Sequence, residues 1–426
     1  MKKLIALLLA LLLASASLTA LAEGFNAEAF MLQFQRQSLK LEPAQLPGAA
    51  LGAQWLTASP SGRYHLLLGF AGLMLYDAEM KEARPVTIDM RGDANGKLAR
   101  LLSNPQRQLA TATFVWSADE AYFTVYNWDL VMKQMNMDFD LLLGSTETCQ
   151  VTVAQSWGAK VNKPGSGTLY GACFAPDNSK LYFDFYGSAY EELDPGRTGK
   201  TSMLTLAYDM ATGEVTHVAG NRWETRTGDQ LFCDREGMVC LKDGSIVQLA
   251  TDRQGTLLHL RRMIPTAAGW EEELLALPSP ELPSTYVLEG VNGTDRVLVT
   301  MLPGVYDTQG ATSAKNVVAQ VDLTPAGLEV RRLTSGVNAV ISPDGRYYAT
   351  LSGSHEAWSL QVTDSLSGQT CAVDASAVKQ VADFAYVAGG NALAAKSFYP
   401  GMMWCGNALV IGTHDGPALF SFAGVD

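Results

Sequence analysis

An all-β fold, a single β-propeller of about seven four-stranded blades closed by an N-terminal strand, is predicted by three observations on this sequence. A strand–turn–strand element recurs about every 58 residues. Each unit between these turns reads as four short strands. Segments with apolar residues at i, i+3, i+4 and i+7 over three turns are scarce, while turn signals arrive every ~8–12 residues.

The recurring element is clearest at Phe174–Phe183 (FAPDNSKLYF) and Ile341–Tyr348 (ISPDGRYY), with looser copies at Thr57–Tyr64 (TASPSGRY) and Val115–Tyr122 (VWSADEAY). These centre on Pro60, Ala118, Pro176 and Pro343, so the first two intervals are 58 residues and the last is 167, about three times 56. Two degenerate copies are therefore expected in between, and Phe232–Leu241 and Leu288–Leu298 occupy the slots. A seventh turn falls at Gly406-Asn407. A repeat of this kind implies a stacked architecture, because no single unit can bury its apolar face alone.

Within a unit the strands are separated by Gly- and Asp-containing turns, residues that tolerate positive φ or bond their own backbone. The fourth unit reads as strand Met238–Leu241, turn Lys242-Asp243-Gly244, strand Ser245–Ala250, turn Asp252–Gly255 and strand Thr256–Arg261. The third has Ser202–Tyr208, turn Met210–Gly213 and Glu214–Val218. Strands rich in Val, Leu, Tyr, Phe and Thr suit a half-buried pleated surface. A regular four-strand period favours radial blades over two packed sheets.

The last unit ends with Pro417–Phe422, leaving room for three strands. Phe30-Met31-Leu32-Gln33-Phe34 alternates in apolarity and is expected to supply the missing outer strand, removing an exposed edge. The competing reading of that stretch is a short helix starting at Asn26. Phe384–Ala388 and Asn391–Ser397 could form part of an eighth blade, which is the alternative count.

The N-terminus sets the compartment. Lys2 and Lys3 precede an unbroken apolar run, Leu4–Leu13, and Ala20-Leu21-Ala22 follows before Glu23. This is the pattern of a secretory signal peptide over residues 1–22. Residues 23–50 then form the segment that contributes a closing strand or short helix, and 51–426 the propeller. No later stretch has ~18 continuous apolar residues, so no membrane span is expected. The product is expected to be secreted, extracellular or periplasmic, and monomeric. Loss of Lys2 and Lys3 moves the formal charge from −12 to −14. A field of that sign argues against nucleic acid as a partner.

Six cysteines, Cys149, Cys173, Cys233, Cys240, Cys371 and Cys405, allow 15 connectivities. Cys233 and Cys240, close in sequence around a tight turn, are the disulfide candidate. Their spacing does not fit a structural zinc site.

The S-P-D-G-R turn with its flanking strands resembles the turn of WD-repeat and TolB-like propellers found in exported bacterial proteins. The Trp-Asp ending that names WD repeats is missing from the expected strands. The resemblance spans most of the chain and implies a platform for a protein, peptide or saccharide.

Candidate binding residues follow from where the repeat is interrupted. Turns after the innermost strand lie on one face of a propeller, and connections from the second to the third strand lie on the other. The two longest insertions, Tyr186–Lys200 and Pro303–Asn316, are of this second kind, with Asn127-Trp128-Asp129 equivalent in the second unit. Long loops on a rigid scaffold concentrate binding residues. Trp128, Tyr186, Tyr190, Glu191, Glu192, Tyr306 and Asp307 are therefore the candidate ligand-binding set, aromatics among carboxylates that suit saccharide stacking or a cationic peptide.

Catalytic signatures are mostly missing. There is no G-x-S-x-G elbow, no zincin helix, phosphate-binding Gly loop or dinucleotide fingerprint, and no cofactor or metal is expected. His355 and His414 sit at equivalent turns of their units, so the repeat accounts for their likeness. Met132, Met135 and Met137 fall within a half-buried alternating strand over 131–141 and read as core. The expected function is a non-enzymatic binding or scaffold propeller. The alternative is a carbohydrate-active enzyme using two loop carboxylates in the central funnel.

Overall fold

The serine-centred turn that recurs in the sequence is held by its own side chains. In the copy at 341–348, the Tyr347 N–H donates to Ser342 Oγ (2.9 Å) and the Arg346 N–H to Asp344 Oδ1 (3.0 Å). Backbone bonds from Ser342 N–H to Tyr347 O and from Gly345 N–H to Ser342 O, both 2.8 Å, close the turn. Gly345 sits at φ +71, a conformation open to a residue without Cβ. Ser59 and Ser117 act alike, accepting from Tyr64 N–H (3.1 Å) and Tyr122 N–H (2.9 Å).

A second repeated device ties this turn to the third strand. Asp77, Asp209 and Asp364 end that strand in blades 1, 3 and 6 and accept backbone N–H groups of the following turn. Arg63 and Arg346, from the serine-centred turns, reach Asp77 (3.4 Å) and Asp364 (3.2 Å). These aspartates follow Tyr76, Tyr208 and Thr363, so none of them completes a Trp-Asp ending.

In the computed structural model the described residues are 24–48, 51–70, 72–92, 113–126, 139–157, 167–188, 201–224, 230–233, 237–252, 257–278, 284–303, 317–353, 357–379, 381, 401–413 and 415–425. They form seven antiparallel blades. Blade 1 is Gln54–Ala58, Tyr64–Gly69, Gly72–Asp77 and Glu82–Pro85; blade 2 is Thr113–Trp116, Tyr122–Tyr126, Phe139–Ser145 and Gln150–Trp157. Blade 3 is Gly167–Phe174, Lys180–Ser188, Thr201–Asp209 and Val215–Gly220; blade 4 is Met238–Cys240, Ile246–Thr251, Leu258–Thr266 and Gly269–Ala276. Blade 5 is Ser284–Gly290, Arg296–Pro303, Val317–Thr324 and Gly327–Ser335; blade 6 is Asn338–Ile341, Tyr347–Gly353, Trp358–Asp364 and Thr370–Ala372. Blade 7 takes Met402–Cys405, Ala408–Thr413 and Gly416–Phe422 from the C-terminal end and Leu41–Ala44 from the N-terminal end.

Two blades carry additions. Thr87–Asp89 runs parallel to the outer strand of blade 2 and covers its edge. A hairpin of Arg222–Glu224 and Gln230–Phe232 precedes blade 4, where Phe232 pairs with Thr251. This insertion moves the fourth turn. The expected copy at Phe232–Leu241 is not the turn but the approach to it, and the equivalent turn is Leu241–Ser245. There Leu241 N–H donates to Ser245 O (2.8 Å) and Ser245 N–H to Asp243 Oδ1 (3.0 Å).

The core lies between the blades. Each strand alternates its side chains between two neighbours, as the period of two requires. Met238 and Cys240 face blade 3, whereas Val239 and Leu241 face blade 5. Ala172 and Phe174 face blade 2, whereas Cys173 and Ala175 face blade 4. Buried clusters fill every inter-blade gap around the ring, including the gap from blade 7 back to blade 1, where Trp55 and Leu67 meet Cys405 and Val410. No helix among the described residues is long and apolar enough to cross a membrane.

Closure uses a different segment from the one expected. Phe30–Phe34 is not a strand but part of a helix, α1 (Ala27–Gln35), capped by the Asn26 side chain, which accepts from Ala29 N–H (3.1 Å). Phe30 and Phe34 are four residues apart and share the buried face, while Leu32 is 44% exposed. The closing strand is Leu41–Ala44, in antiparallel register with Leu419–Phe422. Pro43 is tolerated because this strand is outermost. The residues once expected to form part of an eighth blade, 384–388 and 391–397, lie outside the described residues, as do Met132, Met135 and Met137.

Helix α1 wedges into the gap between blades 6 and 7. The Phe30 ring meets Tyr347 (4.9 Å), Phe422 (5.0 Å) and Trp404 (5.6 Å), and Phe34 meets Tyr347 (5.3 Å). Phe30→Ala should destabilise the protein by roughly 3–5 kcal/mol, the usual cost of emptying a buried aromatic site. Leu32→Ala, on the exposed side of the same helix, should change stability by less than about 0.5 kcal/mol. Urea unfolding checks both; equal losses would show that the wedge does not act through its buried face.

Candidate functional site

The ring has two faces of unlike character. On the turn face, the connections from first to second strands interlock. Glu120 of blade 2 accepts from both the N–H and Oγ–H of Ser61 in blade 1, each at 2.6 Å. Burial pushes the Glu120 carboxyl up, and the Ser61 bonds oppose this. Lys242 N–H donates to Thr294 O (2.8 Å) between blades 4 and 5, and Gly406 N–H to Pro60 O (3.1 Å) between blades 7 and 1. The buried Arg296 guanidinium bonds Gly345 O in blade 6 as well as Asp322 Oδ1 (2.7 Å) in its own blade.

Asn292 goes further and spans the channel. From the blade 5 turn, its Nδ2 donates to Trp116 O in blade 2 (3.1 Å), and its Oδ1 accepts from Cys240 N–H in blade 4 (3.1 Å). A cavity of about 230 Å³ adjoins this pinch, lined by inner strands of blades 1, 2, 4, 5, 6 and 7 through residues such as Thr57, Trp116, Val239, Glu289, Ile341 and Trp404. An innermost strand has a partner on one side only, so its channel edge presents peptide N–H and C=O groups. Such a lining suits water or a small polar guest. Among the described lining residues Glu289 is the one carboxylate.

The other face carries the extended connections. The second strands of blades 2, 3 and 5 end at Tyr126, Ser188 and Pro303, and their third strands resume at Phe139, Thr201 and Val317. Three long connections, 127–138, 189–200 and 304–316, therefore leave from the same face. In blades 1 and 7 the same connection is only Phe70-Ala71 and His414-Asp415, and Phe70 is fully exposed at its tip. Of the sequence-derived candidates, Tyr186 lies in the second strand of blade 3, paired with Thr168 and Met203. Trp128, Tyr190, Glu191, Glu192, Tyr306 and Asp307 lie outside the described residues, as do His355 and His414.

All six cysteines are buried and unbridged in the structure, the candidate pair Cys233 and Cys240 and also Cys173 included. Cys233 follows the inserted hairpin and lies beside Arg261, and its thiol is pushed up to about 12, chiefly by burial. Cys240 is turned into the blade 3–4 core, beside Cys173.

A buried polar cluster, not anticipated from the sequence, spans blades 3 and 4. Asp184 Oδ1 accepts from Thr205 Oγ1 (2.8 Å), Asn221 Nδ2 (3.0 Å) and Gln248 Nε2. Arg261 Nη1 donates to Asn221 Oδ1 (2.9 Å) and its Nη2 to Glu272 Oε2 (2.6 Å). Burial raises the Asp184 carboxyl to about 6 despite these donors and the Arg261 charge. The readable signal is a lone acid inside an apolar strand, Leu181-Tyr182-Phe183-Asp184-Phe185. Across the ring in blade 1, His65 is also buried, accepting at Nδ1 from Trp55 Nε1 (3.1 Å), and burial lowers it to about 4.

No family model matches the sequence, and no curated protein matches it. Solved structures similar to the chain include β-propeller proteins of low identity. The β-propeller domain of the Trilobed protease from Pyrococcus furiosus is 11% identical, with TM-score 0.42, over 91% of this chain and 96% of that one. TolB from Acinetobacter baumannii is 11% identical, with TM-score 0.34, over 90% and 85%. A prolyl endopeptidase is 12% identical, with TM-score 0.41, over 75% of this chain and 41% of its own length, so the chain spans about two fifths of that enzyme. The fold itself rests on the strand pairing above: the chain is a seven-bladed β-propeller.

Asp184 and His65 give opposed pH dependences. A carboxyl raised from its ordinary value to about 6 makes the folded state the better proton binder, so stability falls as pH rises from ~4 to ~6. A histidine lowered to about 4 makes the folded state the poorer binder, so stability rises over ~4 to ~6.5. In the native protein these slopes offset one another. Asp184→Asn should remove the first alone, and the variant should gain on the native protein by roughly 3 kcal/mol between pH 4 and 7. Urea unfolding across that range checks it; a stability difference independent of pH would contradict the assignment.

Proposed function

We propose that the chain is an exported, non-enzymatic binding propeller that holds a protein, peptide or saccharide on its loop face. One observation carries this reading: strand pairing sends three long connections from blades 2, 3 and 5 to the same face. The turn face is consolidated by bonds between neighbouring blades and by α1, so it offers less unpartnered backbone to a guest. The loop-face segments contain Trp128, Tyr190, Glu191, Glu192, Tyr306 and Asp307, and Tyr186 lies in the strand that leads into one of them. Aromatic faces among carboxylates favour a sugar ring, stacked and hydrogen-bonded, or a peptide bearing cations. The acidic net charge works in the same direction for a cationic partner. The Lys2–Ala22 leader pattern supports export, and on this reading the partner is met outside the cytoplasm.

Native mass spectrometry of the protein purified from its own host tests the reading. The native chain should retain a bound mass, and a variant with Tyr186, Tyr190 and Tyr306 all changed to alanine should lose it with its thermal midpoint within about 2 °C of the native value. A retained mass in the variant would move the site away from this face.

A further inference from the structure

Cys173 and Cys240 lie near the ends of the inner strands of blades 3 and 4 and share the core between those blades. The two strands run side by side in the same sense. A Cβ placed on Gly171 would stand 3.2 Å from Met238 Cβ. The two cysteines come two residues later on each strand, and the period of two returns both to the same facing surfaces. A disulfide spans roughly 3.5–4.5 Å between Cβ atoms, so this spacing lies close to what the bond requires. The shared core confirms the facing, since Met238, Cys240, Cys173 and Ala175 all belong to it.

Both thiols are fully buried. Burial first, and then the Cys240 thiol beside it, hold the Cys173 thiol well above the ordinary thiol range. Once folded, the Cys173 thiol is therefore held neutral, and both side chains are shielded. Cys149, Cys371 and Cys405 lie in other inter-blade cores and have no such neighbour in theirs.

We propose that Cys173 and Cys240 join as a disulfide that staples blade 3 to blade 4 when the chain folds in an oxidising compartment. The proposal rests on the export reading for its oxidant. That oxidant is a reactive disulfide, small-molecule or protein-borne, met before blades 3 and 4 close over the thiols. One cysteine thiolate attacks it, forming a mixed disulfide and expelling one thiolate. The second cysteine thiolate then attacks the mixed disulfide and expels the other. Two electrons pass to the oxidant, which leaves as two thiols after taking up the two cysteine protons, and the Sγ–Sγ bond remains.

Two samples of the full chain test this and keep the staple separate from export. One is recovered from cells that made it with its leader. The other is reduced, unfolded and refolded in oxidised glutathione. Each is alkylated under denaturing conditions without reductant and mapped by peptide mass spectrometry. Both samples should give a Cys173–Cys240 cross-linked peptide and four alkylated cysteines. Reduction should lower the thermal midpoint by roughly 5 °C, and Cys173→Ala should abolish that difference. A cross-link only in the refolded sample upholds the pairing and contradicts export. Six alkylated thiols in both samples, or a bridge from Cys240 to Cys233, overturns the proposal.

Discussion

The ring depends on four residues. Leu41–Ala44 pairs with Leu419–Phe422, joining the N-terminal end of the described chain to the C-terminal end. Without that pairing, blade 7 has three strands and an open edge, and the cores on both its sides lose a supporting wall. The joint is reinforced from within. Phe25, Phe30 and Phe34 enter the gap between blades 6 and 7 and pack on Tyr347, Trp404 and Phe422. Asn26 N–H also donates to Asn407 Oδ1 (2.6 Å), so the helix is anchored to the blade 7 turn. Aromatic burial and strand pairing thus act on the same joint.

Closure explains the division of labour between the faces. Inter-blade cores are contiguous only in a closed ring, and the turn-face bonds of Glu120, Asn292, Arg296 and Gly406 then tie blade 1 to blades 2 and 7, and blade 5 to blades 2, 4 and 6. Long connections on the opposite face can extend without disturbing those cores, because they leave from strand ends. Loops carry function on a rigid scaffold for this reason. The Asp184 cluster sets a buried acid and its donors between blades 3 and 4. It gives blades 3 and 4 a directional contact, at the cost of burying an acid whose charge is only partly met.

Much of this architecture was legible in residue types and spacing. Ser342, Asp344 and Gly345 are chosen by the turn they build, so the turn marks itself. The interval was less dependable. The hairpin at Arg222–Phe232 lengthens the third unit and carried the expected fourth turn onto Phe232–Leu241, although Lys242-Asp243-Gly244-Ser245 bears the turn chemistry. The closing strand was hidden because Leu-Glu-Pro-Ala has no strand pattern of its own; its partner strand and outermost position decide it. Phe30 and Phe34 fit both a period of two and a spacing of four, and the Asn26 cap resolves the choice. Asp184 stands out as an acid in an apolar strand, but Asn221, Gln248 and Arg261 reach it from other strands whose adjacency no sequence period encodes. Cys240 neighbours Cys233 in sequence and Cys173 in the blade 3–4 core for the same reason. The loop-face aromatics were legible only as interruptions of the repeat.

Amide hydrogen exchange across the closing joint tests the account most directly. If pairing of Leu41–Ala44 with Gly416–Phe422 is what the ring depends on, the protected amides of these two strands should exchange with the same opening free energy as those of Tyr347–Gly353 in blade 6, through one global event. Exchange of the closing strands at a much lower opening free energy, with blade 6 still protected, would show that the ring stands without its closure and would contradict the account.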